Sequence, residues 1–281
     1  VAATTQQDPA TAQTAVDHGS ALLGRPLHSV RVLTGGQHAR TVLAVDGEQR
    51  VVVRTFPPGD DAVAREASVL GRLSPLGELA PRLLAHGTIA GVPTIVTSAL
   101  TGTVPSATLD LDAAAEQLGV ALARVHGLDP AGLPDDGREP KRTAGRLGGA
   151  ARLVWPTTDQ TRVLTHGDFW SGNAVWHDDR LTGIVDWSGA MAAPRGVDVA
   201  WCRQDLVLLG APAAADRFLV TYERESGVRV HDVHAWDVLA AARADPYLES
   251  WEPNYTGIGR AEVTARVIRQ RFDAWARRLL S

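Results

Sequence analysis

The chain has 281 residues, of which 44% are hydrophobic and 21% charged, enough for one large domain or two lobes with a substantial core. A formal net charge of −4 and a pI near 6.1 give no electrostatic footprint for nucleic acid. The single cysteine, Cys202, excludes an intrachain disulfide or a cysteine-rich zinc site. No apolar run approaches the roughly 18 residues that a membrane span needs. The first residues, VAATTQQDPATAQ, carry neither a basic nor an apolar signal region. A cytoplasmic location without a membrane partner is therefore expected. The only lysine is Lys141, so every other member of the 28 basic side chains is arginine.

Residues 9–23 are expected to form an amphipathic helix with Ala12, Ala15, Val16 and Leu22 or Leu23 on one face. Strands follow at Leu27–Thr34 and Thr41–Val45, joined by a turn over Gly35–Arg40, and Asp46–Gly47 turns into a third strand, Val51–Phe56. Gly35 and Gly36 suit plain turn chemistry. Between strands, such glycines can also leave backbone N–H groups open to phosphate. Arg54 shares a strand face with Val52 and Phe56, so its charge needs a partner. The next helix, capped by Asp60 or Asp61, places Glu66 on the same stripe as Val63, Ala67, Leu70 and Leu73, while Arg65 points away. A buried Arg54–Glu66 pair is expected. Two more strands are read at Ala80–Thr88 and Gly91–Ala99.

From Leu109 the pattern turns helical, with Leu111, Ala115, Leu118, Leu122 and Val125 on one stripe that ends near His126. Residues 129–149, rich in proline, glycine and charge, are expected to be a surface connection. Then comes RVLTHGDFWSGNAVWHDDRLTGIVDW, residues 162–187. It reads as a strand (Arg162–Thr165), a polar loop (His166–Asn173), and strands Ala174–His177 and Leu181–Trp187 about an Asp178–Arg180 turn. Folding about Asp179–Arg180 sets Asn173 opposite Asp186, with Asp168 in the loop that feeds the hairpin. Three oxygen-bearing side chains converging there suit a hard cation such as Mg²⁺. The order H-x-D-x-x-x-x-N, followed by an apolar strand and Asp, is a phosphoryl-transfer layout. In it Asp168 takes the hydroxyl proton, and Asn173 and Asp186 hold the metal on nucleotide phosphates. Downstream, Ala192–Gly196 leads into a helix with Asp198, Trp201 and Leu206. Further helices are expected at Ala213–Arg224, His231–Ala244, Pro246–Trp251 and Arg260–Leu280. On a helix starting at Pro246, Asp245, Glu249 and Glu252 share one face flanked by Tyr247 and Trp251. That face suits either a cationic ligand or solvent.

HGDFWSGN at 166–173 with IVDW at 184–187 resembles the aminoglycoside phosphotransferase and choline kinase family, which has a protein-kinase-like fold. The resemblance runs from about Val30 to Tyr222 and is strongest at 166–186. It implies an α+β, bilobal architecture. Residues 1–100 would form a small sheet-plus-helix nucleotide-binding lobe, and residues 101–281 a larger, mainly helical catalytic and acceptor-binding lobe. The implied activity is transfer of the γ-phosphoryl group of ATP or GTP to a hydroxyl of a small, cationic acceptor, with Mg²⁺, by a monomer or homodimer. Relatives act on aminoglycosides, other cationic antibiotics, macrolides, choline or amino sugars. The resemblance further implies that Arg54, held by Glu66, clamps phosphates and that the Gly35–Gly36 turn covers the nucleotide. Backbone around Ser98 and Leu100 would read the base, and His166 and Asp198 would brace the loop. Asp245, Glu249 and Glu252 would fall in the acceptor pocket. The chain departs from protein kinases at Gly167, which replaces the arginine of HRD, and at Trp187–Ser188, which replace Phe–Gly; no APE follows. A metal-dependent hydrolase using His166, Asp168 and Asp186, and a non-catalytic nucleotide-binding module, are the alternatives.

Overall fold

The structure, a computed structural model, describes residues 9–33, 39–136, 139 and 145–281. Gly35, Gly36 and Lys141 lie outside the described residues. Two compact units are present, Val1–Leu100 and Thr101–Ser281.

The first unit, in its described residues, is a five-stranded antiparallel sheet in the order β1-β2-β3-β5-β4, with two α-helices. Its strands are β1 (His28–Leu33), β2 (Arg40–Asp46), β3 (Gln49–Thr55), β4 (Leu83–Ile89) and β5 (Val92–Ser98). Helix α1 (Pro9–Leu23) buries Ala12, Ala15 and Val16 against Val42, Val53 and Val96, which alternate onto one sheet face. Each fully buried valine contributes about 1.5–3 kcal/mol relative to exposure, so this seam holds α1 to the sheet. Helix α2 (Ala62–Leu70) starts where Asp60 Oδ1 accepts the Ala62 N–H at 2.8 Å. The fourth strand starts at Leu83 instead of Ala80. Pro81 has no N–H to give a ladder, which delays it.

The second unit is mainly helical: α3 (Leu111–His126), α4 (Gly145–Val154), α5 (Gly196–Leu208), α6 (Pro212–Ser226), α7 (Val233–Ala244), α8 (Glu252–Gly257) and α9 (Ala265–Leu279). Two antiparallel strand pairs interrupt them: β6 (Arg162–Thr165) with β9 (Met191–Pro194), and β7 (Ala174–His177) with β8 (Arg180–Ile184). Several expectations need correction. Residues 145–154 are helix, so the surface connection ends earlier than its composition suggests. Met191–Pro194 is a strand despite two alanines and a proline, because pairing with β6 overrides weak propensity. The expected helix from Pro246 does not form: Asp245 caps α7, and a 3₁₀ turn over Leu248–Trp251 precedes α8. The last helix begins at Ala265, where the Thr264 hydroxyl caps it by accepting the Val267 N–H. Among the described residues no helix is long and apolar enough to cross a membrane.

Candidate active site

The 166–173 loop leaves β6 and is held by its backbone. His166 is fully buried, with its ring 4.7 Å from Trp187 and 6.1 Å from Phe169, centroid to centroid. Its Nε2 lies 2.9 Å from the Val185 carbonyl, so Nε2 carries the proton and donates. Gly167 adopts φ +80°, and a Cβ there would sit 2.2 Å from the Gly189 carbonyl oxygen. A kinase-like arginine at this position is therefore ruled out by space as well as by backbone conformation. Asp168 follows with an exposed carboxylate: Oδ1 accepts from Trp201 Nε1 at 2.8 Å and Oδ2 from Asn173 Nδ2 at 3.1 Å.

A buried carboxylate anchors the loop. Asp198 accepts the His166 N–H at 2.6 Å, the Gly167 N–H at 2.8 Å and His126 Nε2 at 3.2 Å. On its other side, His126 Nδ1 lies 2.8 Å from the Tyr222 hydroxyl, which also receives a bond from Arg195 at 2.9 Å. One assignment of protons satisfies the whole chain: Arg195 donates to Tyr222, Tyr222 to Nδ1 of a neutral His126, and His126 through Nε2 to the carboxylate. The ionisation states agree. Burial lowers the His126 pKa, favouring the neutral ring, and raises that of the Tyr222 phenol. Burial also opposes charge on Asp198, but the hydrogen bond from His126 and those from the loop outweigh it and hold the carboxyl below its ordinary value. His126 thus packs and hydrogen-bonds at the end of α3.

At its open end the hairpin register differs from the expectation by one residue. The turn is Asp178–Asp179, both at positive φ (48° and 57°), so His177 pairs with Arg180. A bulge after Val175 then sets Ala174 opposite Ile184, and the Val185 N–H donates to the Asn173 carbonyl at 2.9 Å. Asn173 consequently lies opposite Val185, and Asp186 is one residue beyond, outside β8. Gln117 of α3 clips this turn, donating to Asp179 O at 2.9 Å and accepting from the Leu181 N–H at 2.8 Å. Asp186 adopts a left-handed conformation (φ 64°, ψ 62°), unusual for a non-glycine residue and frequent at functional sites, and its Oδ1 accepts from the Ser188 hydroxyl at 3.0 Å. The donor set fits Mg²⁺. Asn173 Nδ2 is engaged by Asp168, so Oδ1 is the atom its amide could offer a cation, and Asp186 could offer carboxylate oxygen; both atoms are hard donors.

In the first unit, Arg54 Nη1 lies 2.7 Å from both carboxylate oxygens of Glu66, and the Glu66 side chain is only 2% exposed. Arg54 also sits over the Phe56 ring at 5.1 Å. The Ser98 N–H donates to the Arg82 carbonyl and its hydroxyl accepts the Arg82 N–H, both at 2.9 Å, so both groups are engaged within the sheet. The acidic set near the C-terminus serves α9. Asp245 and Glu249 each meet Arg269 at 2.6 Å, and Glu252 accepts the Ala265 N–H at 2.8 Å, at the first residue of that helix. Asp245 and Glu249 thus share an ion-pair network with Arg269 while Glu252 meets the start of α9, and the three do not form one helix face.

The chain matches the phosphotransferase enzyme family (APH) over residues 29–148 and 144–241, three quarters of its length. It belongs to that family. No curated protein matches the sequence. Among solved structures, macrolide 2′-phosphotransferase MphH from Brachybacterium faecium is similar at TM-score 0.67 and 18% identity, covering 92% of this chain and 98% of that one. Spectinomycin phosphotransferase APH(9)-Ia, solved with ADP and spectinomycin, gives 0.62 and 14%, covering 94% and 98%. An aminoglycoside-3′-phosphotransferase of type VIII gives 0.61 and 21%, covering 81% and 97%. The fold is that of these kinase-like phosphotransferases.

In this phosphotransferase, several residues at the candidate site escaped sequence reasoning. Trp201 and Arg195 carried no motif, and Tyr222 looked like an ordinary helix residue. Asp205 is 4% exposed; its Oδ2 accepts the Ser171 N–H at 3.0 Å and its Oδ1 the Tyr255 hydroxyl at 3.1 Å. Burial pushes its carboxyl up to about 6, against the pull of the bonds from Ser171 and Tyr255. One signal was available: Asp198, Trp201 and Asp205 fall at i, i+3 and i+7, the spacing of a single helix face.

Proposed function

We propose that this phosphotransferase moves the γ-phosphoryl group of ATP or GTP to a hydroxyl of a small molecule in a Mg²⁺-dependent reaction. The observation that carries the reading is Asp168: an exposed carboxylate, held through both oxygens, on a loop tied to buried Asp198. Asp168 accepts the acceptor's hydroxyl proton as the new O–P bond forms and the bond between the γ-phosphorus and its bridging oxygen breaks, releasing the diphosphate. Asn173 and Asp186 would hold Mg²⁺, which when bound neutralises charge on the phosphates. Arg54, fixed by Glu66, clamps the phosphates, and the Leu100 backbone meets the base. Positioning and charge neutralisation supply most of the rate.

For the acceptor, the activities named for the similar structures, on macrolide, spectinomycin and aminoglycoside, support an antibiotic over a metabolite such as choline or an amino sugar. The test is nucleotide consumption with ATP or GTP, with and without Mg²⁺, against a panel of macrolides, aminoglycosides, choline and amino sugars. Diphosphate release that needs both Mg²⁺ and one acceptor is expected. Nucleotide binding without turnover anywhere in the panel would instead describe a binding module.

Arg54→Ala should raise the nucleotide KM about 10- to 100-fold, as loss of a hydrogen bond to a charged group does. Because alanine also removes the Arg54 partner of buried Glu66, Arg54→Lys is the companion variant. It keeps the charge but not the fork, and should lose less. A wild-type nucleotide KM in both would remove Arg54 from the clamp.

A further inference from the structure

Successive turns of α5 hold successive residues of the candidate catalytic loop. Asp198 takes the backbone N–H groups of His166 and Gly167, Trp201 reaches Asp168, and Asp205 takes the N–H of Ser171. Two of these three grips are on backbone. Only Trp201 touches the carboxylate assigned as base.

That contact matters because the last torsion of an aspartate is broad and roughly two-fold, so a single bond leaves the carboxylate plane free to turn. Asn173 on Oδ2 is one bond, 3.1 Å long, and is donated by a residue assigned to the metal. Trp201 on Oδ1, at 2.8 Å, supplies a second bond on the other oxygen from a rigid ring on a helix. The indole is itself held. Trp251 packs against it edge-on at 5.4 Å, and the Arg243 guanidinium lies 4.9 Å over its ring. Trp201 is half-buried, whereas Trp187, Phe169 and Trp236 are almost wholly buried, so it reaches the surface where the base does. An indole N–H can donate but never accept or ionise, so it orients a carboxylate without competing for its proton. We infer that Trp201 is a positioning residue for phosphoryl transfer: its Nε1–H fixes the plane of Asp168 so that the carboxylate meets the acceptor hydroxyl.

The inference rests on Asp168 being the base, and its test separates the two. In a ¹H–¹⁵N spectrum of the full chain, which has 8 tryptophans, the indole resonance missing in Trp201→Phe is that of Trp201. In Asp168→Ala it should move upfield and exchange faster with water. Trp201→Phe keeps a ring against Trp251 and Arg243 but loses the donor. It should lower kcat about 10- to 100-fold while leaving the nucleotide KM within about twofold and the thermal midpoint near wild type. A Trp201 resonance unmoved in Asp168→Ala, or a wild-type kcat in Trp201→Phe, overturns the positioning role. In either case, abolished transfer in Asp168→Ala leaves the base standing. If the resonance moves but Asp168→Ala transfers normally, the base assignment falls and the positioning role falls with it.

Discussion

Asp168→Asn is expected to lower kcat by about 10²–10⁴-fold, the usual worth of a positioned general base, while nucleotide affinity stays within a few-fold. Asparagine keeps the volume, and its Oδ1 can still accept from Trp201 Nε1 or from Asn173 Nδ2, which now lie 2.8 and 3.1 Å from the carboxylate oxygens. What it lacks is a site for the hydroxyl proton. The loop should hold its shape, because its anchors run through the backbone of His166 and Gly167 to Asp198 and not through the Asp168 side chain. Single-turnover transfer measured beside equilibrium nucleotide binding separates the two effects. Equal transfer by wild type and variant would refute the assignment of the base.

Asp198→Asn should produce the largest combined loss of stability and rate. Asp198 is fully buried and accepts from three donors. An amide can accept through one oxygen only, and its NH₂ group would then confront another N–H. Charge-assisted bonds of this kind contribute about 1.5–3 kcal/mol each, so a loss near 3 kcal/mol is expected, or roughly a 10 °C drop in Tm for a domain of this size. The accompanying loop shift should cost about a hundredfold in kcat. The pH dependence follows from the direction of the Asp198 shift. Its folded pKa lies below the ordinary 3.8, so the carboxylate stabilises the fold fully above that value. The stability gap between wild type and variant should therefore persist at neutral pH and close as the pH falls below 3.8 towards the folded value. Thermal melts of both proteins across that range measure it. A constant gap would mean that Asp198 acts by shape alone.

Local pattern alone determined a good deal of this protein. Strand alternation in Val51–Phe56, the α1 stripe through Ala12, Ala15 and Val16, and the α2 stripe carrying Glu66 all depend on near neighbours in the chain. The first two formed within two residues of expectation, and α2 ends at Leu70, before Leu73 of its expected stripe. The motif HGDFWSGN with IVDW was enough to resemble the family to which the chain belongs, because its residues sit at short separations in the chain. Elements stabilised from a distance escaped. Strand β9 exists through its pairing with β6, and the hairpin turns at Asp178–Asp179, which alone displaces the register by two residues, of which the bulge after Val175 returns one. The run of acids at 245, 249 and 252 spaced itself like a helix face, yet Arg269, some twenty residues downstream in α9, claims two of them. Only tertiary structure decided what surrounds Asp168. Trp201 lies 33 residues away and Tyr222 and His126 are separated by 96, and no spacing rule links positions that far apart. The order of Asp168, Asn173 and Asp186 is a short-range property of one loop and its hairpin, whereas the indole bond on the Asp168 carboxylate comes from a helix folded back against it, and that long-range contact has no trace in local sequence.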